Sequence, residues 1–192
     1  MDATGELVGL RPKRPEDAID DYTWRTDPEL ATFDAVQPLR MSFPDFQTLF
    51  QEELRYPTPR QRTYGIEDLA TGRHIGNCMF YDIDEFRHQA ELGIMIGDKD
   101  FWGQGYGTDA VVTLIEFIFR TTGLNRVYLH TLDWNVRAQK SFAKAGFVAV
   151  NTVTRRGFTF VTMEILREAF ESGKLRRQPA EGAGERRSAA AD

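Results

Sequence analysis

The stretch "FWGQGYGTDAVVTLIEF", Phe101 to Phe117, constrains this chain more than any other. Gly103, Gly105 and Gly107 alternate through its first half. Then the glycines stop and a helix begins, with Ala110, Val111, Leu114, Ile115 and Ile118 on one apolar stripe. Glycine lets a backbone take positive φ and approach a ligand closely. The first N–H groups of a helix lack intrahelical partners and, with the helix dipole, they form an anion site. A phosphate is the natural guest. The Lys-Ser/Thr pair of a Walker loop is missing, so this is not a P-loop. Gly105 to Ala110 does fit G-x-G-x-x-A, a dinucleotide fingerprint, and Asp133 stands at the end of the next strand where a ribose-binding acid would sit. Against that reading, "DKDFW" separates the glycines from the preceding strand and several antiparallel strands come first; a dinucleotide loop follows its strand directly and usually opens its fold. The bland alternative is a glycine turn that only caps a helix.

The elements around the loop narrow the choice. Leu7 to Leu10 reads as an opening strand ended by "RPKRP". A helix is expected from Glu16 to Glu29, with Ala18, Ile19, Tyr22 and Trp24 on its apolar side, and "TDPEL" and "AVQPLR" are breaks. Ser42 can cap a helix through Phe46, Leu49, Phe50 and Leu54, with Pro44 in its first turn. "RTYGIEDL" and "HIGNCMFYDI" flank the turn "ATGR" as a hairpin, "DEFRHQ" turns again, and "AELGIMIGD" is a third strand. After the glycine helix come a strand, "RVYLHTL", a helix from Asn135 to Lys144, and a last hairpin, "FVAVNTVT" with "FTFVTMEIL". This order predicts an α/β (α+β) domain: a mixed, mostly antiparallel sheet of about six or seven strands with about four helices. One domain is expected over residues 1–172, and residues 173–192, rich in Arg, Glu, Gly and Ala without apolar periodicity, read as a disordered tail.

Composition enters as exclusion. The net charge of −5 argues against broad binding to a nucleic-acid backbone and mildly favours a cationic partner. No apolar run reaches the length of a membrane span, and the N-terminus lacks the basic and apolar regions of a secretory signal. One cysteine, Cys78, and three scattered histidines, His74, His88 and His130, make no metal-ligand spacing. A cytoplasmic setting, no metal, no nucleic acid and no membrane are therefore expected, with a homodimer as the default assembly.

Taken with its neighbours, the glycine stretch resembles motif A of the GNAT family of acyl-CoA N-acyltransferases. The family's [Q/R]-x-x-G-x-[G/A] is read here as Trp102-Gly103-Gln104-Gly105-Tyr106-Gly107, with Trp at the first position. "W-G-x-G-Y-[G/A]-T-[ED]-A" is familiar in the branch that resembles the RimJ/RimL ribosomal-protein N-terminal acetyltransferases and spermidine acetyltransferase. "LRPKRPEDA", "AELGIMIGD" and "NVRAQKSFAKAGF" resemble further family segments in the same order, so the likeness runs from about Leu7 to Leu166.

The resemblance implies a GNAT fold with acetyl-CoA bound in a splay between the two central strands. Its pyrophosphate would sit on Trp102 to Thr108 (Gly103, Gln104, Gly105, Tyr106 and Gly107 between them). Backbone N–H groups of Ile94, Met95 and Ile96 would bind the pantetheine and polarise the thioester, and Asn135 would bind the pantetheine arm. Glu91, near the start of that strand, is the candidate general base; the plainer reading is a solvated strand residue. The Tyr that many members use as general acid corresponds to Phe142. Its neighbour Ser141 is the substitute candidate, against a plain small helix residue. No nucleophile triad is apparent, so direct attack by a primary amine is expected. The leading acceptor is a protein N-terminus, such as that of a ribosomal protein; a polyamine, an aminoglycoside or an amino acid is the alternative. A non-catalytic acyl-CoA sensor is the rival outside enzymology. Tyr81, Trp24, Phe33, Phe46 and Trp102 could line the acceptor site, and Asp82, Asp84 and Glu85 could attract a cation, although a solvated turn explains them as well. His88 reads as a surface turn residue.

Overall fold

The computed structural model describes residues 1–172; the tail expected to be disordered, 173–192, lies outside the described residues. Eight strands form one sheet: β1 (Ala3–Thr4), β2 (Val8–Pro12), β3 (Arg62–Asp68), β4 (His74–Asp84), β5 (Gln89–Ile96), β6 (Arg126–Leu132), β7 (Val148–Arg155) and β8 (Phe158–Leu166). Their spatial order is β1-β2-β3-β4-β5-β6-β8-β7, antiparallel throughout except for the β5–β6 pair. The expected opening strand is thus the second. Ala3–Thr4 precedes it, too short to show any period.

Six α-helices accompany the sheet: α1 (Ala18–Thr26), α2 (Pro28–Phe33), α3 (Phe43–Arg55), α4 (Tyr106–Thr121), α5 (Val136–Lys144) and α6 (Arg167–Glu171). The helix expected over Glu16 to Glu29 is two helices. Asp27 leaves helical geometry at ψ 120° and its carboxylate accepts from the Glu29 and Leu30 N–H groups, so it stops α1 and caps α2. Ile19, expected on the apolar side of α1, is 60 % exposed, whereas Ala18 and Trp24 are buried. Ser42 caps α3 as anticipated. Among the described residues no helix is long and apolar enough to cross a membrane.

Strand side chains alternate between faces, and the two faces carry different chemistry. Leu10, Ile66, Cys78, Phe80, Leu92 and Leu129 pack against the α4 stripe in the main core, where Leu114 and Ile118 are fully buried. The opposite face presents Arg11, Glu67 and Asn77 to α1. Arg11 is held bidentately by Asp17 at 2.8 Å and donates to Glu67 at 2.7 Å. Lys13 donates to Asp21 at 2.9 Å and to Asn77. Burial lowers the Lys13 ammonium despite its acidic neighbours, so the desolvation penalty there is real. This ionic layer seats α1, and α1 in turn walls the face on which Glu91 lies.

The β5–β6 pairing decides the site. It covers only Gln89↔Arg126, Ala90↔Val127 and Glu91↔Tyr128. Beyond Glu91, β5 stays with β4 while β6 stays with β8, and the two central strands part.

Candidate active site

Glycine geometry sets one wall of the cleft. Gly103 and Gly105 have φ of +73° and +93°, which disfavour any other residue. Gly105 is also the N-cap of α4, and glycine has no side chain with which to cap. The first intrahelical bond recorded there runs from Asp109 N–H to Gly105 carbonyl. The N–H groups of Tyr106, Gly107 and Thr108 precede it and keep the donor character of a helix N-terminus. A Cβ at Gly107 would meet only Ile96 at 3.6 Å and Ser141 at 3.9 Å, so its local packing does not require glycine. These donors at the positive end of a sixteen-residue helix are the chemistry a phosphate requires.

Several loop side chains point away from that anion site and brace the loop instead. The Trp102 indole N–H donates to the Ile96 carbonyl at 2.7 Å, and the Arg137 guanidinium lies 4.0 Å from its ring centroid. Gln104 donates to the Asp100 carbonyl. The Tyr106 hydroxyl reaches Asp68 at 3.2 Å. Asp109, which sequence reading passed over, accepts from the N–H groups of Glu6, Leu7 and Val8 and ties the β1–β2 turn to the start of α4.

The splayed strand forms the second wall. In an antiparallel ladder alternate residues turn their N–H toward the partner strand. Gly97 N–H donates to Ile75 carbonyl, and the β4–β5 register pairs Met95 with Asn77 and Gly93 with Met79. By this parity the N–H groups of Gly93 and Met95 face β4, while those of Leu92, Ile94 and Ile96 face the splay. Of the three expected backbone donors, Ile94 and Ile96 point into the cleft; Met95 turns its N–H away from it.

At the end of the β5–β6 pairing stands a compact polar group. Glu91 Oε1 lies 2.8 Å from His130 Nδ1, and both side chains are nearly buried, at 13 % and 12 % exposure. Tyr81 stands opposite Glu91 across β4–β5; burial first, then its interaction with the Glu91 carboxylate, pushes the phenol pKa up. Tyr128 stands edge-on to His130 at 5.8 Å, its own phenol raised by burial and by Glu91. The sequence showed His130 only as one of three scattered histidines, because its partner is 39 residues away. Only the β5–β6 register brings them together.

The other expected residues divide. Asn135 caps α5, its Oδ1 accepting from Ala138 N–H at 3.1 Å, and it lines the cleft. Ser141 shares a 2.8 Å hydrogen bond with Thr108, so its hydroxyl stands at the α4 N-terminus rather than beside Glu91. Phe142 is buried against Phe147 in the core. Trp24 is buried against His74, and Phe46 belongs to the small core of α1 and α3. Phe33 meets Trp102 edge-on at 5.8 Å, and both line the cleft. Asp84 accepts from the Phe86 and Arg87 N–H groups, so the acidic cluster is a turn, and His88 is exposed with φ +51°. Among the described residues no group of three His, Cys, Asp or Glu could hold a metal. The cleft spans about 1670 Å³, more than the roughly 300–1,000 Å³ of a single-ligand pocket.

A mostly antiparallel sheet that parts at its one parallel pair, above a glycine-started helix, is the architecture of an acyl-CoA-dependent N-acyltransferase. The dinucleotide reading of Gly105 to Ala110 and Asp133 falls with it, because the sheet is not doubly wound. The chain belongs to the GNAT acetyltransferase family: the family described as "Acetyltransferase (GNAT) domain" matches residues 8–148. It is 39 % identical over 150 residues, 74 % of this chain and 83 % of the relative, to an uncharacterised N-acetyltransferase p20 of Bacillus licheniformis. In structure it is similar to the spermidine N-acetyltransferase of Vibrio cholerae in complex with CoA and spermine (TM-score 0.75, 19 % identity, 86 % of this chain and 98 % of that one). It is also similar to the aminoglycoside acetyltransferase AAC(6')-Ib in complex with coenzyme A (TM-score 0.72, 21 % identity, 87 % and 99 %). The protein is an acetyl-CoA-dependent N-acetyltransferase, with acetyl-CoA as its co-substrate.

Proposed function

We propose that the chain transfers the acetyl group directly to a primary amine in a ternary complex. The observation that carries this is the position of the splay: it opens at Glu91, so the inward N–H groups of β5 begin beside the Glu91–His130 pair. The α4 N-terminus binds the pyrophosphate through Gly107 and Thr108 N–H groups. The Thr108–Ser141 hydroxyl pair and Asn135 line the path of the pantetheine. The N–H groups facing the splay, Leu92, Ile94 and Ile96, hold that arm and polarise the thioester carbonyl, stabilising the charge that develops on its oxygen. The amine arrives from the side walled by α1 and α3, and its proton leaves through the Glu91–His130 pair. Ser141 can protonate the departing sulfur only by releasing Thr108 or relaying through it. A thiolate is a fair leaving group, so the buried Phe142 needs no hydroxyl.

The acceptor class is set by assay. A panel of N-terminal peptides, polyamines and aminoglycosides, read as free thiol released from acetyl-CoA, tests both the protein acceptor implied by the sequence resemblance and the small amines on which the solved relatives act. Turnover with one class and not the others assigns the acceptor. Saturable acetyl-CoA binding with no thiol release from any amine refutes transfer and leaves the sensor reading.

A further inference from the structure

Within that proposed transfer, the pair at the splay contains two candidate bases, and their hydrogen bonds distinguish them. A carboxylate only accepts, so the 2.8 Å contact places the imidazole proton on His130 Nδ1 and leaves the neutral ring's lone pair on Nε2. Glu91 is already engaged: it takes that proton's hydrogen bond. Among the described residues His130 Nε2 makes no hydrogen bond. Among the described residues no buried side-chain polar atom lacks a partner, so Nε2 is reached by solvent, and His130 forms part of the cleft wall. The open basic atom at the splay is therefore on the histidine.

We propose that His130 Nε2 is the proton acceptor of the transfer and that Glu91, with Tyr81 behind it, is the positioning group that fixes the imidazole tautomer. The amine nitrogen forms a bond to the thioester carbon as the carbonyl π pair moves to oxygen. The N–H proton passes to Nε2, the oxygen pair returns, and the C–S bond breaks with its pair leaving on sulfur. The imidazolium formed is stabilised by Glu91, and its proton goes on to the thiolate or to water. The groups facing the ring are Glu91 from β5 and Tyr128 from β6; Tyr81 from β4 stands opposite Glu91, the Arg126 guanidinium lies 4.6 Å from the Tyr128 ring centroid, and Asp82 and Arg155 also act on these tyrosines.

Two experiments on the full chain test this. The first is independent of turnover: 15N NMR of histidine-labelled protein saturated with CoA, the His130 signal identified by its loss in His130→Gln. The proposal requires a neutral ring protonated at Nδ1 and bare at Nε2; a proton on Nε2 and none on Nδ1 overturns it. The second uses the best amine of the panel. His130→Ala should lower kcat/KM by about 10²–10⁴-fold, the range of a lost general base, with CoA affinity unchanged. Added imidazoles should restore activity in proportion to their basicity. Glu91→Gln should lose less and keep the acidic limb of the pH profile, moved to lower pH. A limb lost in Glu91→Gln but kept in His130→Ala puts the proton on the carboxylate and refutes the proposal. A wild type that turns over no amine refutes the transfer reading instead, and the NMR result still decides the tautomer.

Discussion

Asp17→Asn should cost this protein stability in a way that depends on pH. The Asp17 carboxylate is buried, with 4 % of its side chain exposed. It receives both terminal nitrogens of Arg11 at 2.8 Å and the Arg14 N–H at 2.8 Å, with His74 at 3.6 Å and Lys13 at 3.8 Å. Burial by itself would raise its pKa. The Arg11 hydrogen bond, the Arg14 N–H and the charges of His74 and Lys13 outweigh burial and bring it down from 3.8 to about 2. That difference is worth about 2.4 kcal/mol, at about 1.36 kcal/mol per pH decade. Because the folded value is the depressed one, this stability is fully present above pH 4 and disappears as pH falls from about 4 to about 2. The amide of Asn cannot balance Arg11, although Glu67 still can, so the expected loss at pH 7 is about 2–4 kcal/mol, at or below the range for breaking a buried ion pair. Urea unfolding of wild type and variant across pH 7 to 3 measures it. The gap between the two midpoints should narrow as the wild-type carboxyl is protonated. A gap below about 1 kcal/mol at pH 7, or one that stays constant through the acid range, would refute the reasoning.

Three further substitutions probe the cleft and its supports. Gly105→Ala places a Cβ at φ +93° and should cost about 1–2 kcal/mol, with weakened acetyl-CoA binding read as a smaller thermal shift; unchanged binding would show that the α4 N-terminus does not hold the co-substrate. Asn135→Ala removes the α5 cap and should cost about 1 kcal/mol in urea unfolding; if CoA affinity also falls severalfold, the residue binds as well as caps, and if affinity is unchanged it only caps. Gly97→Ala would set a Cβ 2.0 Å from the Trp24 ring, so it should displace α1 and lower the thermal midpoint; a wild-type midpoint would mean that Trp24 moves freely there.

The legible parts of this chain are those governed by neighbours in sequence. The α4 stripe from Ala110 to Ile118 is read from its period and is fully buried as read. The positive φ of Gly103 and Gly105, the caps at Ser42 and Asn135 and the turn around Asp84 follow from residue types over a few positions. Even the break at Asp27–Pro28 was visible as "TDPEL", although its effect, two helices in place of one, needed the cap geometry to be seen.

What the tertiary structure decided is which distant groups meet. The end of β5–β6 pairing at Glu91 depends on β5 following β4 while β6 follows β8, a competition no local window contains. That parting selects which β5 N–H groups face the cleft, so Met95 is set apart from Ile94 and Ile96. It also brings His130 to Glu91, while Ser141 meets Thr108 and not Glu91. Sequence by itself determined most of the elements, their order and the family, because backbone dihedrals and hydrophobic period are short-range properties; it left out β1 and α6 and joined α1 to α2. The Glu91–His130 pairing is a long-range property, set by the register of the strands.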